Sequence, residues 1–186
     1  MLKIIFIFIF GIFLLNGNSF AQEVKKDAKT FETKMDQFAS KSGVITKFTD
    51  TNLPNLKTSY GAAETRIRKV NNGGDALFFY QISKSGQYST NTASIEYSDL
   101  IEVIKAIKIL KSDEEKDIAL NPDYLENKFT TIDGFQVGYY ISKGKSTWYL
   151  KLEKYGSDNN TLFVKDGNTI ESAFNDAKAK IDELKK

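Results

Sequence analysis

Two stretches of this chain space their apolar residues so that only a helix packed against something else can bury them. In the first, Leu100, Val103, Ile104, Ile107 and Leu110 form a broad stripe flanked by Ile101 and Ile109. In the second, Ile170, Ala173, Phe174, Ala177, Ile181 and Leu184 recur at the same period. Ser98 predicts the start of the first helix, with Asp99 and Glu102 in its opening turn, where the helix dipole favours negative charge. Asn168 and Glu171 have capping-box spacing ahead of the second. Each stripe needs a sheet or another helix against it, and each follows a series of segments with period-2 alternation.

In the first half, residues 64–70 lead into Asn71, Asn72, Gly73 and Gly74, a hairpin turn because Asn and Gly tolerate positive φ. Residues 76–83 return, with Ala76, Phe78, Tyr80 and Ile82 on one face and Leu77 and Phe79 on the other; residues 92–97 add a strand. In the second half, strands over 124–131, 135–142, 147–155 and 161–165 are separated by turns around Gly134, Gly144 and residues 156–160. Residues 35–50 read two ways. Val24, Ala28, Phe31, Met35 and Phe38 fall at helical spacing ahead of Gly43. Alternatively, Lys41, Ser42 and Gly43 turn a hairpin, and the match of Phe38, Gly43 and Phe48 to Phe129, Gly134 and Tyr139 at identical spacing favours that hairpin.

Strands then a helix, twice over, predict an α+β fold: antiparallel sheets with two amphipathic helices on one face, built from two strand–helix half-repeats. Joined edge to edge, the halves would make one long curved sheet, in outline similar to the saddle of TATA-binding-type folds, a likeness of topology that implies no function. The predicted halves span residues 35–112 and 123–186. Between them, 113–122 reads as a charged connector whose Asp113, Glu114, Glu115 and Asp117 face solvent. Ahead of them, residues 1–21 have the layout of a secretory signal peptide. Lys3 is the positive end, Ile4 to Leu15 an apolar run too short to span a bilayer, and Ser19 and Ala21 the small residues before Gln22. Residues 22–34 read as a flexible tether, and the chain is expected to be exported to the periplasm or beyond.

The chain contains neither Cys nor His. A Ser-His-Asp triad, a Cys-His pair and zinc sites built on those residues are therefore excluded, as are disulfides and an N-terminal lipid anchor through Cys. Carboxylate pairs, a Ser-Lys dyad and an all-oxygen calcium site stay open. The 26 basic residues nearly balance the 24 acidic ones, so no strong field draws nucleic acid. The turns at Asp133, 158–160 and 166–168 hold Asp and Asn for the ordinary reason that turns do, and no motif implies a metal or a cofactor. Asp99 with Glu102, and Asp123 with Glu126, are the nearest things to paired carboxylates.

The candidate binding residues come from alternation. If the helices cover Phe135, Val137, Tyr139, Ile141, Trp148, Leu150 and Leu152, then Tyr140, Tyr149 and Tyr155 stand on the uncovered side, and Leu77 and Phe79 do so in the first half. A Tyr on an open sheet offers apolar area and a hydroxyl at low entropic cost, although ordinary cross-strand packing uses Tyr as well. Arg66 and Arg68, at i and i+2 of one strand, can fork onto an anionic group. Together these features predict an exported, non-catalytic binding module whose partner is a protein, an envelope component or a glycan. The alternatives are a carboxylate-based glycan hydrolase, which needs a pocket with two carboxylates about 5–10 Å apart, and a carrier of a small apolar ligand, which needs a closed cavity.

Overall fold

The computed structural model describes residues 32–87, 89–153 and 160–186. The predicted signal peptide, residues 22–31 of the predicted tether, and Tyr155 lie outside the described residues. Four strands come first: β1 (Thr46–Thr58), β2 (Gly61–Asn72), β3 (Asp75–Ser85) and β4 (Thr90–Glu96), paired antiparallel in chain order. The helix α2 (Tyr97–Ala119) follows, after a short α1 (Lys34–Ala39) that precedes β1. Then β5 (Tyr124–Thr130), β6 (Gln136–Ser142), β7 (Lys145–Lys151) and β8 (Thr161–Val164) form a second antiparallel sheet, and α3 (Gly167–Leu184) closes the chain. The fold is α+β, with four strands and a long helix occurring twice. There are two sheets and not one long saddle. They touch where the Ser59 N–H, in the β1–β2 turn, donates to the Phe163 carbonyl at 2.8 Å.

The turns follow their residues. Lys143 (φ 52°) and Gly144 (φ 71°) both sit in the left-handed region, as the tight hairpin between β6 and β7 requires. α2 stops at Leu120, where Asn121 takes φ 48° and Pro122 follows, a pairing that ends helices. Its N-cap is Glu96, whose carboxylate accepts from the Ser98 N–H, so Ser98 lies inside the helix and is not its cap. Asp166, not Asn168, caps α3, accepting from the Thr169 N–H at 2.8 Å.

One core takes the inner faces of both sheets and both long helices. α2 packs on β5, β6 and β7 of the second sheet as well as on β3 and β4 of the first; α3 packs on β1 and β2 of the first sheet as well as on β8. Phe174 of α3 makes the exchange visible: its ring lies 5.2 Å from Tyr80 of β3 and 5.8 Å from Phe135 just before β6. Neither half closes its own core, so the boundary drawn at 112–123 divides residues that pack as one unit, Glu32–Lys186.

Two further sequence expectations change here. The hairpin read over 35–50 is wrong at its first arm. Residues 34–39 are the helix α1, with Thr33 and Asp36 forming its capping box, and only the second arm enters β1. The spacing match to residues 129–139 is therefore coincidental; the counterpart of the β5–β6 hairpin is the β1–β2 turn near Tyr60. The charged connector at 113–122 is mostly the last turns of α2, and two of its carboxylates face inward. Glu114 accepts from Trp148 Nε1 at 2.9 Å and from the Ser146 hydroxyl. Asp117 accepts from the Tyr139 hydroxyl at 2.6 Å and from Asn127 Nδ2. Trp148 and Tyr139 are buried with rings 5.1 Å apart, and α2 supplies the acceptors their polar atoms need. Burial, with the Asp117 charge beside it, pushes the Tyr139 hydroxyl up to about 12.

Candidate functional site

The outer face of the second sheet is the side that α2 and α3 leave uncovered. Alternation in β5 turns Tyr124, Glu126 and Lys128 outward. The register then sets Tyr140 of β6 opposite Glu126, Tyr149 of β7 opposite Gly138, and Phe163 of β8 opposite Tyr149. Tyr124 and Tyr140 are diagonal neighbours whose rings lie nearly parallel, 23° apart in plane and 6.2 Å between centres. Tyr124 is 62% exposed and Tyr140 is half-buried. At the other edge Phe163 meets the ring of Tyr60 edge-on at 6.4 Å, and Tyr60 is almost wholly exposed. Below them a groove of about 420 Å³ runs between the β1–β2 turn and β8.

Tyr149 shares this face but is only 6% exposed. Its side chain crosses β6 at Gly138 and donates to Glu126 Oε1 at 2.7 Å. No other residue fits at Gly138, because a Cβ there would lie 2.2 Å from the Asn127 carbonyl oxygen. The bond from Tyr149, with Lys128 Nζ at 3.1 Å on the other oxygen, holds the Glu126 carboxyl below the usual range. Burial first, and Glu126 second, raises the Tyr149 hydroxyl. Tyr149 is therefore a brace across three strands, and the expectation that it stands open to a partner is corrected.

Part of the first sheet's outer face is covered as well. α1 lies over it: Gln81 Nε2 approaches Met35 Sδ at 3.7 Å and Asn72 Nδ2 donates to the Phe38 carbonyl. Phe79 is fully buried and Leu77 half-buried, which corrects their assignment as surface residues. α1 is held in place by Asp133, which accepts from the Lys34 N–H, and by Asp99, whose carboxylate pairs with Lys34 Nζ at 2.7 Å. Burial raises the Asp133 carboxyl.

Arg66 and Arg68 do share a face, but the fork is filled from within the protein. Arg68 donates through Nε and Nη2 to both oxygens of Asp50, at 2.8 and 2.7 Å. Arg66 donates to Gln81 Oε1 at 2.7 Å and stands 3.5 Å from Asp50. Asp50 answers in kind, its carboxyl held low chiefly by the Arg68 bonds. Glu102 pairs with Lys105, so Asp99 and Glu102 serve ion pairs with different lysines. Among the described residues no cluster of acidic side chains has the makings of a metal site. No helix among them is long and apolar enough to cross a membrane.

Sequence reasoning missed Tyr124 and Tyr60. The signal for Tyr124 was present, since it alternates with Glu126 and Lys128. Tyr60 sits in a turn that the misread hairpin concealed. No protein-family model and no curated protein matches the chain. A solved structure from work on SsgB and longitudinal cell division during sporulation of Streptomyces coelicolor aligns over 74% of this chain and 90% of its own, at 14% identity and a TM-score of 0.27, a likeness too slight to speak for fold or function.

Proposed function

We propose that this protein is an exported, non-catalytic binding module and that the outer face of β5–β8 takes an extended glycan. The observation that carries the reading is the near-parallel pair Tyr124 and Tyr140, presented on a sheet face that no helix covers. Flat Tyr faces give the C–H side of a sugar ring an apolar platform with a hydroxyl at its edge. Lys128, Lys145 and Lys151 share the face with one carboxylate, Glu126, so the face favours chains bearing acidic groups. The signal-peptide layout of residues 1–21 supports export, where such polymers are met.

The test compares the parent protein with a Tyr124→Ala/Tyr140→Ala variant, titrated with polygalacturonate and with a neutral β-glucan. The expected result is saturable binding by the parent, stronger for the acidic chain. The variant should lose it by about tenfold or more, as removal of stacking aromatics does, with little change in melting temperature. Failure of both polymers to bind, or equal binding by parent and variant, overturns the reading.

A further inference from the structure

The aromatic face of the second sheet does not end at its last strand. Tyr140 opposes Thr147, and Phe163 opposes Tyr149, so Tyr140 and Phe163 share the outer face two strands and one two-residue step apart. Strand spacing and rise per residue put the two positions roughly 12 Å from each other. They lie on a diagonal that begins at Tyr124, one strand earlier and one step back. Past β8 the same line meets Tyr60, which belongs to the first sheet's β1–β2 turn.

Tyr60 is 89% exposed, yet its place is fixed. The Ser59 N–H ties the turn to the Phe163 carbonyl, and the Tyr60 ring stands at 85° to that of Phe163. A large aromatic side chain held in position offers contact area at low entropic cost. The groove beneath it is where the outer faces of the two sheets meet, with Glu64 of β2 on one side and Thr161 and Phe163 of β8 on the other. Lys84 Nζ donates to the Thr161 carbonyl at 3.3 Å, and Lys151 stands opposite Thr161 in the register. Two lysines therefore flank this end against the one carboxylate of Glu64. The Tyr124–Tyr140 end has the same character, with Lys128 and Lys145 against Glu126. Both ends of the diagonal pair two aromatic rings with an excess of positive charge.

We infer that the acidic-glycan face proposed above, on which this inference rests, continues over β8 to Tyr60 and so discriminates by chain length. An oligosaccharide of two rings covers Tyr124 and Tyr140 and leaves Tyr60 unused. A chain of eight rings engages both aromatic ends at once, and the second contact is then intramolecular.

The test is calorimetric titration of the parent protein, of Tyr60→Ala and of Tyr124→Ala/Tyr140→Ala with polygalacturonate and with galacturonate oligomers of two and eight rings. The parent should bind the eight-ring oligomer at least about tenfold more tightly than the two-ring one. Tyr60→Ala should weaken the eight-ring oligomer and the polymer by about threefold to tenfold, the worth of one aromatic contact. It should leave the two-ring oligomer and the melting temperature unchanged, and Tyr60→Phe, which keeps the ring, should bind like the parent. Polymer binding that is lost in Tyr124→Ala/Tyr140→Ala but intact in Tyr60→Ala overturns this inference and leaves the glycan face standing. So does a Tyr60→Ala variant that weakens both oligomers equally. A parent protein that binds no polymer overturns the glycan face and this inference with it.

Discussion

Replacing Glu114 by Ala tests whether the first half's helix really completes the second half's sheet. Glu114 is on α2, and its carboxylate accepts from Nε1 of Trp148 on β7 at 2.9 Å and from the Ser146 hydroxyl. Trp148 is 1% exposed with Glu114 in place, and removing Glu114 leaves its indole N–H without the acceptor it has in the folded chain. A hydrogen bond to a charged group contributes about 1.5–3 kcal/mol, and an orphaned buried donor costs about 1–3 kcal/mol. These overlap, so the expected loss is about 2–3 kcal/mol. For a domain of this size that lowers the melting temperature by roughly 4–12 °C. Glu115→Ala is the control: the side chain is one position along and exposed, and surface changes of this kind stay within about 0.5 kcal/mol. Glu114→Gln keeps an acceptor and should fall between the two. Trp148 is the sole tryptophan, so urea unfolding followed by its fluorescence reads the affected site directly. If Glu114→Ala is no more destabilising than Glu115→Ala, α2 does not support the second sheet in the way described.

Two further outcomes follow from the packing and the charges. Gly167→Ala would place a Cβ 2.8 Å from Trp148 Cζ2 and 3.0 Å from Cη2; because that ring is fixed, overpacking by about 1–3 kcal/mol should outweigh the better helix propensity of Ala, and a raised melting temperature would refute this. The carboxyls of Asp50, Glu126 and Asp166 are all held low in the folded state, by Arg68, by Tyr149 and by the Thr169 N–H respectively. The unfolded chain therefore binds more protons in the window between the folded values and the ordinary ones. The stability these groups supply is complete above the ordinary carboxylate range of about 4 and is lost as pH falls through the folded values. Asp133, raised by burial, works in the opposite sense and offsets part of this. Urea midpoints should be level near neutrality and drop below about pH 4; a midpoint that climbs on acidification contradicts the assignment.

The parts of this fold that could be read from sequence are those where one element carries its own signal. The stripe from Leu100 to Leu110 and the Asn-Asn-Gly-Gly turn needed no partner to be recognised, and both elements are where the pattern put them. β1 carries little such signal. Lys47, Phe48, Thr49, Asp50 and Asn52 are all exposed, so its alternation is nearly invisible, and Gly43 drew the hairpin toward the wrong turn. The site suffered in the same way. Pleat alternation correctly sends Tyr149 to the outer face, but whether it stands open depends on Gly138 one strand away and Glu126 two strands away. Phe79 is likewise on the outer face of its sheet, and is dry because α1 arrives from outside the sheet altogether. Exposure is a property of neighbours across strands, which a single strand's pattern does not encode.

The exchange of helices between sheets has a consequence for how the chain is made. As the polypeptide leaves the ribosome, α2 emerges before the strands that will shelter much of its apolar side, and β1 and β2 wait for α3, the last element of all. Contacts of such long sequence separation form late and slowly. Until α3 is made, the inner faces of β1 and β2 lack one of the surfaces they pack on, so the core's contacts between the two halves are completed only after the second half has been synthesised.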